Sequence, residues 1–171
     1  MDTEIFLIDT NTLITPYNNY YPFDLVPSFW VKLKSCIEDG TVVILDMVSE
    51  EVLKGNDSLT DWLRSIDAKD FISHISPGII TNYGNVLESI QNNPCYLEAA
   101  LKEWSKDSVA DPWLIAAAME HNFTIITFEQ PNRNLDAKNP TKKVKIPDIA
   151  AAFNVRSESL FYMMRKLDFK F

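Results

Sequence analysis

Three short, mainly apolar runs, each ending at an acidic residue, set the pattern of the chain. They are residues 5–8 before Asp9, residues 42–45 before Asp46, and residues 124–128 before Glu129. Runs of this length are too short for an independent helix and too continuous for a strand with one solvated face. They therefore predict buried strands of a parallel sheet.

The stretches between these runs show helical spacing of apolar residues. Helices are predicted over residues 23–37, 47–55, 97–104, 108–119, 149–153 and 158–166, and residues 56–94 are predicted to form helices with short breaks. Loops are predicted over residues 16–22 and 130–143, and a short edge strand over residues 144–146. Pro112 fits the first position of its helix, with Asp111 as the N-cap.

The alternation of strands and helices predicts an α/β fold. Parallel strands need crossover connections, which pack helices on both faces of the sheet. At 171 residues the chain is long enough for one domain with a substantial core, so residues 1–171 are expected to form a single domain. In such sheets, ligands bind at the carboxyl ends of the strands, where Asp9 and Glu129 are expected.

The composition is that of an ordinary globular protein, with 46% hydrophobic and 23% charged residues. No apolar run approaches the roughly 20 residues of a membrane span, and acids stand where a signal peptide would be basic. We therefore expect a cytoplasmic protein without a membrane partner. The two cysteines, Cys36 and Cys95, and the two histidines, His74 and His121, are too scattered for a zinc site. With 24 acidic residues, the chain is suited to a hard ion such as Mg²⁺ or Mn²⁺.

The net charge of −8 argues against nucleic-acid binding through a broad basic face. A phosphodiester substrate is still compatible with this charge, because bound metal ions offset the charge of grouped carboxylates. Two basic clusters could contact phosphates, although solvated surface is the commoner role of such residues. The clusters are Lys138, Lys142, Lys143 and Lys145, and Arg156, Arg165, Lys166 and Lys170.

Four acids that are far apart in sequence are expected at the same rim of the sheet. They are Asp9, one of Glu50 and Glu51, Asp111 and Glu129. Grouped carboxylates repel one another unless a cation lies between them, and a hard divalent ion can activate water for attack on a phosphodiester. The pattern favours a metal-dependent hydrolytic site. Glu51, three positions after the apolar Val48, is preferred to Glu50 as the inward-facing acid.

Each of these acids also has a purely structural explanation. Asp9 and Asp111 are ordinary turn and cap residues, and a cap stabilises a helix by about 1 kcal/mol without any catalysis. Acids in the first turn of a helix interact favourably with its dipole, and Glu129 could be a loop residue. We favour the shared site because one cause then accounts for an acid at every strand end.

Four motifs occur along the chain in a recognisable order. They are Ile8-Asp9-Thr10-Asn11, Val48-Ser49-Glu50-Glu51-Val52, Asp111-Pro112-Trp113-Leu114-Ile115-Ala116-Ala117-Ala118 and Ile126-Thr127-Phe128-Glu129. In their order and approximate spacing they resemble the PIN-domain nucleases. The chain is similar in particular to uncharacterised bacterial PIN-like proteins of the DUF4411 type, in which residues 55–62 and 145–148 also find counterparts. Each motif is short, and the ordered set, which spans nearly all 171 residues, makes the resemblance specific.

The resemblance implies a PIN-like, three-layer α/β/α fold with a mainly parallel sheet of four to five strands. It also implies a Mg²⁺- or Mn²⁺-dependent endoribonuclease, often the toxin of a toxin-antitoxin pair, with an RNA substrate, an antitoxin partner and commonly a homodimeric state. The implied catalytic and metal-binding residues are Asp9, Glu51, Asp111 and Glu129, supported by Asn11, Thr127 and Glu50. Many members carry Asp at the position of Glu129, so the longer side chain is expected to shift or loosen a second metal position.

Three other functions compete with this interpretation. A haloacid-dehalogenase-type phosphatase is disfavoured. It would need an acid two residues after Asp9 as general acid and base, and this position is Asn11. Dinucleotide binding is disfavoured because the four glycines form no G-x-G-x-x-G motif after a strand. The serious alternative is a non-catalytic PIN-like module that binds a protein or RNA and keeps the acids as a remnant of the fold.

Overall fold

The computed structural model describes residues 4–171. The strands are β1 (Phe6–Ile8), β2 (Val42–Leu45), β3 (Phe71–Ile72), β4 (Thr124–Ile126) and β5 (Ser157–Glu158). The α-helices are α1 (Asn11–Thr15), α2 (Pro27–Glu38), α3 (Asp46–Leu53), α4 (Ser58–Arg64), α5 (Pro77–Gln91), α6 (Glu98–Trp104), α7 (Asp111–His121), α8 (Ile146–Ala152) and α9 (Leu160–Lys166). A π-helical turn, Pro16–Tyr20, follows α1, and a 3₁₀ turn, Ala68–Asp70, precedes β3.

The strands form one five-stranded sheet in the order β3-β2-β1-β4-β5. Strand β1 lies parallel to β2 with Phe6 opposite Val42, and parallel to β4 with Leu7 opposite Ile125. Strand β2 is also parallel to β3. These pairings confirm the predicted α/β fold with a mainly parallel sheet, and they bring the carboxyl ends of β1, β2 and β4 to one edge.

The chain divides into two compact units. Unit 1 contains residues 1–73, 124–128 and 158–171, and unit 2 contains residues 74–123 and 129–157. The expectation of a single domain over residues 1–171 stays a prediction.

The core of unit 1 is the buried sheet with an aromatic layer on helix α2. Every residue of β1 and β2 is buried, as expected for continuous apolar runs in a parallel sheet. On α2, Trp30 stacks on Phe23 with ring centroids 4.5 Å apart and meets Trp62 edge-on at 5.0 Å. The indole N–H of Trp30 donates to the carbonyl oxygen of Tyr21 at 2.6 Å, so its one polar atom is satisfied in the core.

The core of unit 2 is formed around α7, which packs against α5. Residues 114–118 of α7 are all buried, so this helix is apolar around most of its circumference. Close approach is possible because Gly78 lies on α5: a Cβ there would come within 2.2 Å of the Glu120 carboxyl group. Helix α7 ends at Asn122, which adopts the left-handed conformation with φ of 56°.

Several predicted elements were wrong. The chain is helical over α1 and the π turn, where a loop was predicted from residue 16, because Leu13 and Pro16 are buried on that segment. The predicted edge strand at residues 144–146 does not form: Ile146 begins α8. The strand that lies beside β4 at an edge of the sheet is β5, where the Glu158 carbonyl oxygen accepts the N–H of Thr127 at 3.2 Å. Strand β3 lies within a stretch that was predicted to be helical.

Several helix boundaries differ by a few residues from the prediction. Helix α2 begins at Pro27 and not at residue 23, since proline favours the first turn. Helix α9 begins at Leu160 after its N-cap Ser159, whose hydroxyl accepts the N–H of Tyr162. In the described range 4–171, the helices are too short or too polar to cross a membrane.

Candidate active site

Asp9 is buried at the carboxyl end of β1 in unit 1. Its side chain is only 4% exposed, and its backbone N–H donates to the carbonyl oxygen of Ile126 at 3.0 Å. The hydroxyl of Thr127, which follows β4, donates to Asp9 Oδ2 at 3.1 Å. Because β1 and β4 are parallel neighbours, both residues leave the sheet at the same edge. The position of the Asp9 carboxylate is therefore fixed by the strand pairing and by a hydroxyl donor.

Glu51 reaches the same edge from helix α3, which begins directly after β2. The hydroxyl of Thr10, the residue that follows Asp9, donates to Glu51 Oε2 at 2.8 Å. Thr10 is 5% exposed whereas Glu51 is exposed, so this hydrogen bond ties the carboxylate of a surface glutamate to a buried residue. Asp9 and Glu51 thus belong to one arrangement in unit 1, joined through consecutive residues of the chain.

Glu50 is exposed, and its side chain makes no hydrogen bond or ion pair with any residue in the range 4–171. One residue further along α3 turns a side chain by about 100°, so two adjacent glutamates face different surroundings. Of the two, Glu51 contacts the segment that carries Asp9. Asp46 is the first residue of the same helix. Its carboxylate accepts the backbone N–H of Met47 at 2.8 Å, which lies in the first turn of that helix.

Threonines hold this part of unit 1 together, and sequence reasoning identified only one of them. Besides Thr10 and Thr127, Thr12 donates its hydroxyl to the carbonyl oxygen of Ile126 at 2.8 Å. The predicted supporting residue Asn11 is exposed, and its side chain has no hydrogen bond within the described residues. The run of polar residues after Asp9 was a usable signal, but only burial distinguishes Thr10 and Thr12 from Asn11.

Asp111 lies in unit 2 as the first residue of α7 and is partly exposed. The N-cap is Ala110, and Pro112 occupies the second helical position, so both residues lie one position further into the helix than predicted. An acid in the first turn stabilises the helix through its dipole. This placement is compatible with both the structural and the metal-binding explanation of Asp111.

Glu129 also lies in unit 2, where neighbouring residues donate hydrogen bonds to its carboxylate. Its Oε2 accepts the backbone N–H of Ile146 at 2.7 Å, and its Oε1 accepts from the Lys145 ammonium at 3.2 Å. The pair is partly shielded, with the side chain of Glu129 23% exposed. Glu129 therefore anchors the start of α8. Sequence analysis placed Lys145 in a basic cluster that could contact phosphates and in the segment 145–148, because nothing in the sequence links it to an acid 16 positions away.

Asp148 is a second acid near Glu129 that sequence reasoning did not select. Both of its carboxylate oxygens accept the N–H of Asn132 at 3.1 Å. The pKa of Asp148 is raised above its ordinary value, mainly by burial. The hydrogen bond from the N–H of Asn132 lowers this pKa, the negative charge of Glu129 raises it, and the positive charge of Lys145 lowers it. The proton is thus held more tightly here than in an ordinary aspartate.

The predicted acids fall into two groups. Asp9 and Glu51 are together in unit 1, while Asp111 and Glu129 belong to unit 2, so the expectation that all four share a cation stays a prediction. Within residues 4–171, no three Asp, Glu, His or Cys side chains are close enough to hold a metal as a group. A Mg²⁺ ion usually takes only one or two carboxylates and completes its coordination with waters and substrate phosphates. The oxygen donors of Asp9 and Glu51 fit that requirement.

Comparison with known proteins gave a matching family and a similar solved structure. A family model described as Domain of unknown function (DUF4411) matches residues 6–171. The crystal structure of VapBC2 from Rickettsia felis, bound to a DNA fragment from their promoter, matches with a TM-score of 0.49 and 14% sequence identity. The alignment covers 91% of this chain and 98% of that chain. No curated protein sequence matches the chain.

Proposed function

The chain belongs to the DUF4411 family, described as a domain of unknown function, and we propose that it is a PIN-like, metal-dependent ribonuclease. The observation that carries the proposal is the arrangement of Asp9 and Glu51 at the carboxyl edge of a parallel sheet, each held by a threonine hydroxyl. Ligand sites of open α/β sheets lie at this edge. The order of the sequence motifs, which resembles that of PIN-domain nucleases, supports the same function.

In this proposal, the carboxylates of Asp9 and Glu51 hold a Mg²⁺ or Mn²⁺ ion. When bound, such an ion supplies a water of lowered pKa and offsets the negative charge of the phosphodiester. The chain's own contribution is orientation. Thr127 and Thr10 donate hydrogen bonds to the two carboxylates, and such outer hydrogen bonds fix the direction of metal-binding oxygens.

Asp111 and Glu129 complete the proposed acidic set of four. Asp111 is partly exposed at the first turn of α7. Glu129 is the weaker candidate, because Lys145 and the N–H of Ile146 already contact its two oxygens. Its role as a ligand requires the Lys145 ammonium to move away.

We further propose that the protein acts as the toxin of a toxin-antitoxin pair, with an antitoxin protein as its partner and a homodimer as its assembled form. The support for this part is the resemblance of the sequence motifs to the PIN-domain nucleases. It predicts that induced expression of the chain arrests growth of a bacterial host, and that Asp9→Asn relieves the arrest at equal protein level. Growth arrest that persists with Asp9→Asn would contradict it.

The direct test is RNA cleavage by purified protein. Single-stranded RNAs of mixed sequence should be degraded with Mg²⁺ or Mn²⁺ and remain intact with EDTA. Asp9→Asn keeps the shape of the side chain, removes its charge and should abolish cleavage. Glu50→Gln is the matched control that should cleave normally, and circular dichroism of each variant checks that the fold is kept.

The second candidate function is a non-catalytic module that binds a protein or RNA. One observation favours it: Glu129 is engaged in a structural ion pair with Lys145. This function predicts that wild type and Asp9→Asn both leave RNA intact at all metal concentrations. Cleavage that depends on Asp9 would exclude it.

A further inference from the structure

A groove on unit 2 concentrates lysines in an otherwise acidic protein. It has a volume of about 490 Å³ and lies between α6 and the segment before α8. Lys142, Lys143 and Lys145 line it, with Trp104 and Glu103 on the α6 side. The volume is within the range of pockets that hold ligands.

The backbone beneath these lysines is fixed by hydrogen bonds. The N–H of Thr141 donates to the carbonyl oxygen of Cys95 at 2.9 Å, and the N–H of Leu97 donates back to Thr141 at 3.0 Å. The N–H of Lys143 donates to the Thr141 hydroxyl at 3.1 Å. The lysines are therefore presented from a strand-like segment held against the chain before α6, and binding would not have to order this backbone.

The charge of the groove is only partly compensated. Elsewhere in the described residues, lysines commonly pair with acids, as in Lys34 with Glu38, Lys102 with Glu98 and Lys170 with Asp168. Lys142 and Lys143 are exposed and form no ion pair within residues 4–171. The acid in the groove, Glu103, pairs with Lys106, and Lys145 pairs with Glu129. Two adjacent positive charges thus face solvent in a chain with a net charge of −8.

We propose that this lysine groove binds the sugar-phosphate backbone of single-stranded RNA. The inference rests on the proposed function, because RNA is the substrate of the proposed nuclease. Lysine ammonium groups meet phosphates as point charges, and their binding releases counterions. Arginine, which reads base edges and planar anions through paired donors, does not line the groove. The expected contact is therefore to phosphates and independent of base sequence.

The test is direct binding in the absence of cleavage. A fluorescein-labelled 12-nucleotide single-stranded RNA is titrated with protein in EDTA, and anisotropy gives the Kd at several KCl concentrations. The double variant Lys142→Gln with Lys143→Gln should raise the Kd about tenfold at low salt. It should also lower the slope of log Kd against log salt by about 1.4, the value for two lost phosphate contacts to a single strand.

The matched control is Lys32→Gln with Lys54→Gln, which removes the same charge from two exposed lysines outside the groove that have no ion pair within the described residues. It should change the Kd less than twofold. Equal weakening by both double variants, or no binding of RNA by wild type at low salt, would overturn the inference. So would binding of a polyglutamate peptide that depends on Lys142 and Lys143 while RNA binding does not, since the groove would then recognise an acidic protein.

The outcome for the groove can be separated from that for the proposed function. Asp9→Asn should lose cleavage but bind the labelled RNA as tightly as wild type. If wild type fails to cleave but the lysine variants still weaken RNA binding, the groove stands and the nuclease proposal fails. If cleavage depends on Asp9 but the lysine variants bind normally, the nuclease proposal stands and the groove inference fails.

Discussion

Glu51 in unit 1 and Glu129 in unit 2 hold their carboxylates in different ways. Glu51 accepts from the neutral hydroxyl of Thr10 at 2.8 Å and has no ion pair within residues 4–171. Glu129 accepts from the Lys145 ammonium at 3.2 Å and from a backbone N–H at 2.7 Å. A neutral donor fixes the direction of a carboxylate and leaves its negative charge for another cation, whereas an ammonium already compensates that charge.

The difference suggests how to rank acids that a sequence motif treats as equal. The Glu51 carboxylate is oriented by a neutral donor and keeps its charge for a metal, and a hydroxyl, that of Thr127, also orients the Asp9 side chain. A carboxylate with a lysine partner must first give up that partner. We therefore expect the acids of unit 1 to dominate metal binding and Glu129 to contribute less.

The largest expected effect separates Asp9 from Glu129. Asp9→Asn should lower kcat for RNA cleavage by at least about 100-fold, and Glu129→Gln by about tenfold, because the Lys145 ammonium already compensates the charge of Glu129. Steady-state cleavage of a labelled RNA at saturating substrate measures both. Equal losses for the two variants would show that the ion pair with Lys145 does not reduce the role of Glu129.

The two glutamates of α3 provide the next contrast. Glu51→Gln should lower kcat by about tenfold or more, while Glu50→Gln should change it less than twofold, because only Glu51 contacts Thr10. Both variants lose the same charge on adjacent exposed positions, so general electrostatics cannot account for a difference. A larger loss with Glu50→Gln would mean that α3 presents its other acid to the metal.

The orienting hydroxyl of Thr127 is expected to matter for metal affinity. Thr127→Val removes the donor to Asp9 Oδ2 with little change in shape and should weaken Mn²⁺ binding about tenfold in calorimetric titration. Thr127→Ser keeps the hydroxyl and should restore affinity. Thr124→Val is the matched control, since Thr124, the first residue of β4, is buried to a similar extent but donates to Glu4. Equal weakening by both valine variants would assign the effect to packing.

Much of the fold could be predicted from the sequence, and the reason is the continuity of the apolar runs. Strands β1, β2 and β4 are buried on both faces, so each has a continuous apolar sequence. Such a run predicts a strand without any knowledge of its neighbours. Strands β3 and β5 are two residues long and exist only through pairing with partners remote in sequence. No local pattern could have revealed them.

The candidate site was predictable to a similar extent. Acids at strand ends are visible in the sequence, and Asp9 and Glu51 were both selected. The hydrogen bonds of Thr10 and Thr127 span 41 and 118 positions, and the Glu129–Lys145 pair spans 16, so they depend on how the elements pack. Sequence alone therefore proposes the acids but does not show which of them carries a compensating charge.

The ion pair of unit 2 should have a modest effect on stability. Lys145→Met leaves the partly buried Glu129 without its ammonium and should lower the free energy of unfolding by about 1 kcal/mol. Lys142→Met, at an exposed lysine without an ion pair within the described residues, should change it by less than about 0.5 kcal/mol. Urea unfolding at pH 7 measures both, and equal values would show that the pair contributes nothing.

The smallest effect concerns the pH dependence of unit 2. The folded pKa of Asp148 lies above the ordinary value of 3.8, so the folded state binds this proton more tightly than the unfolded state. The resulting stabilisation is fully present below pH 3.8 and is lost as the pH rises through the folded pKa. Asp148→Asn does not titrate, so its stability relative to wild type should increase from pH 4 to pH 7 in urea unfolding. A relative stability that is constant or decreases would contradict the assignment.

Anomalous diffraction from crystals soaked in Mn²⁺ can show whether Asp9 and Glu51 hold a metal, because it locates the ion without reference to activity. We expect an anomalous peak within direct coordination distance of the carboxylates of Asp9 and Glu51, and loss of that peak in Asp9→Asn crystals. A peak elsewhere, or wild-type crystals without a peak at these two residues under saturating Mn²⁺, would contradict it.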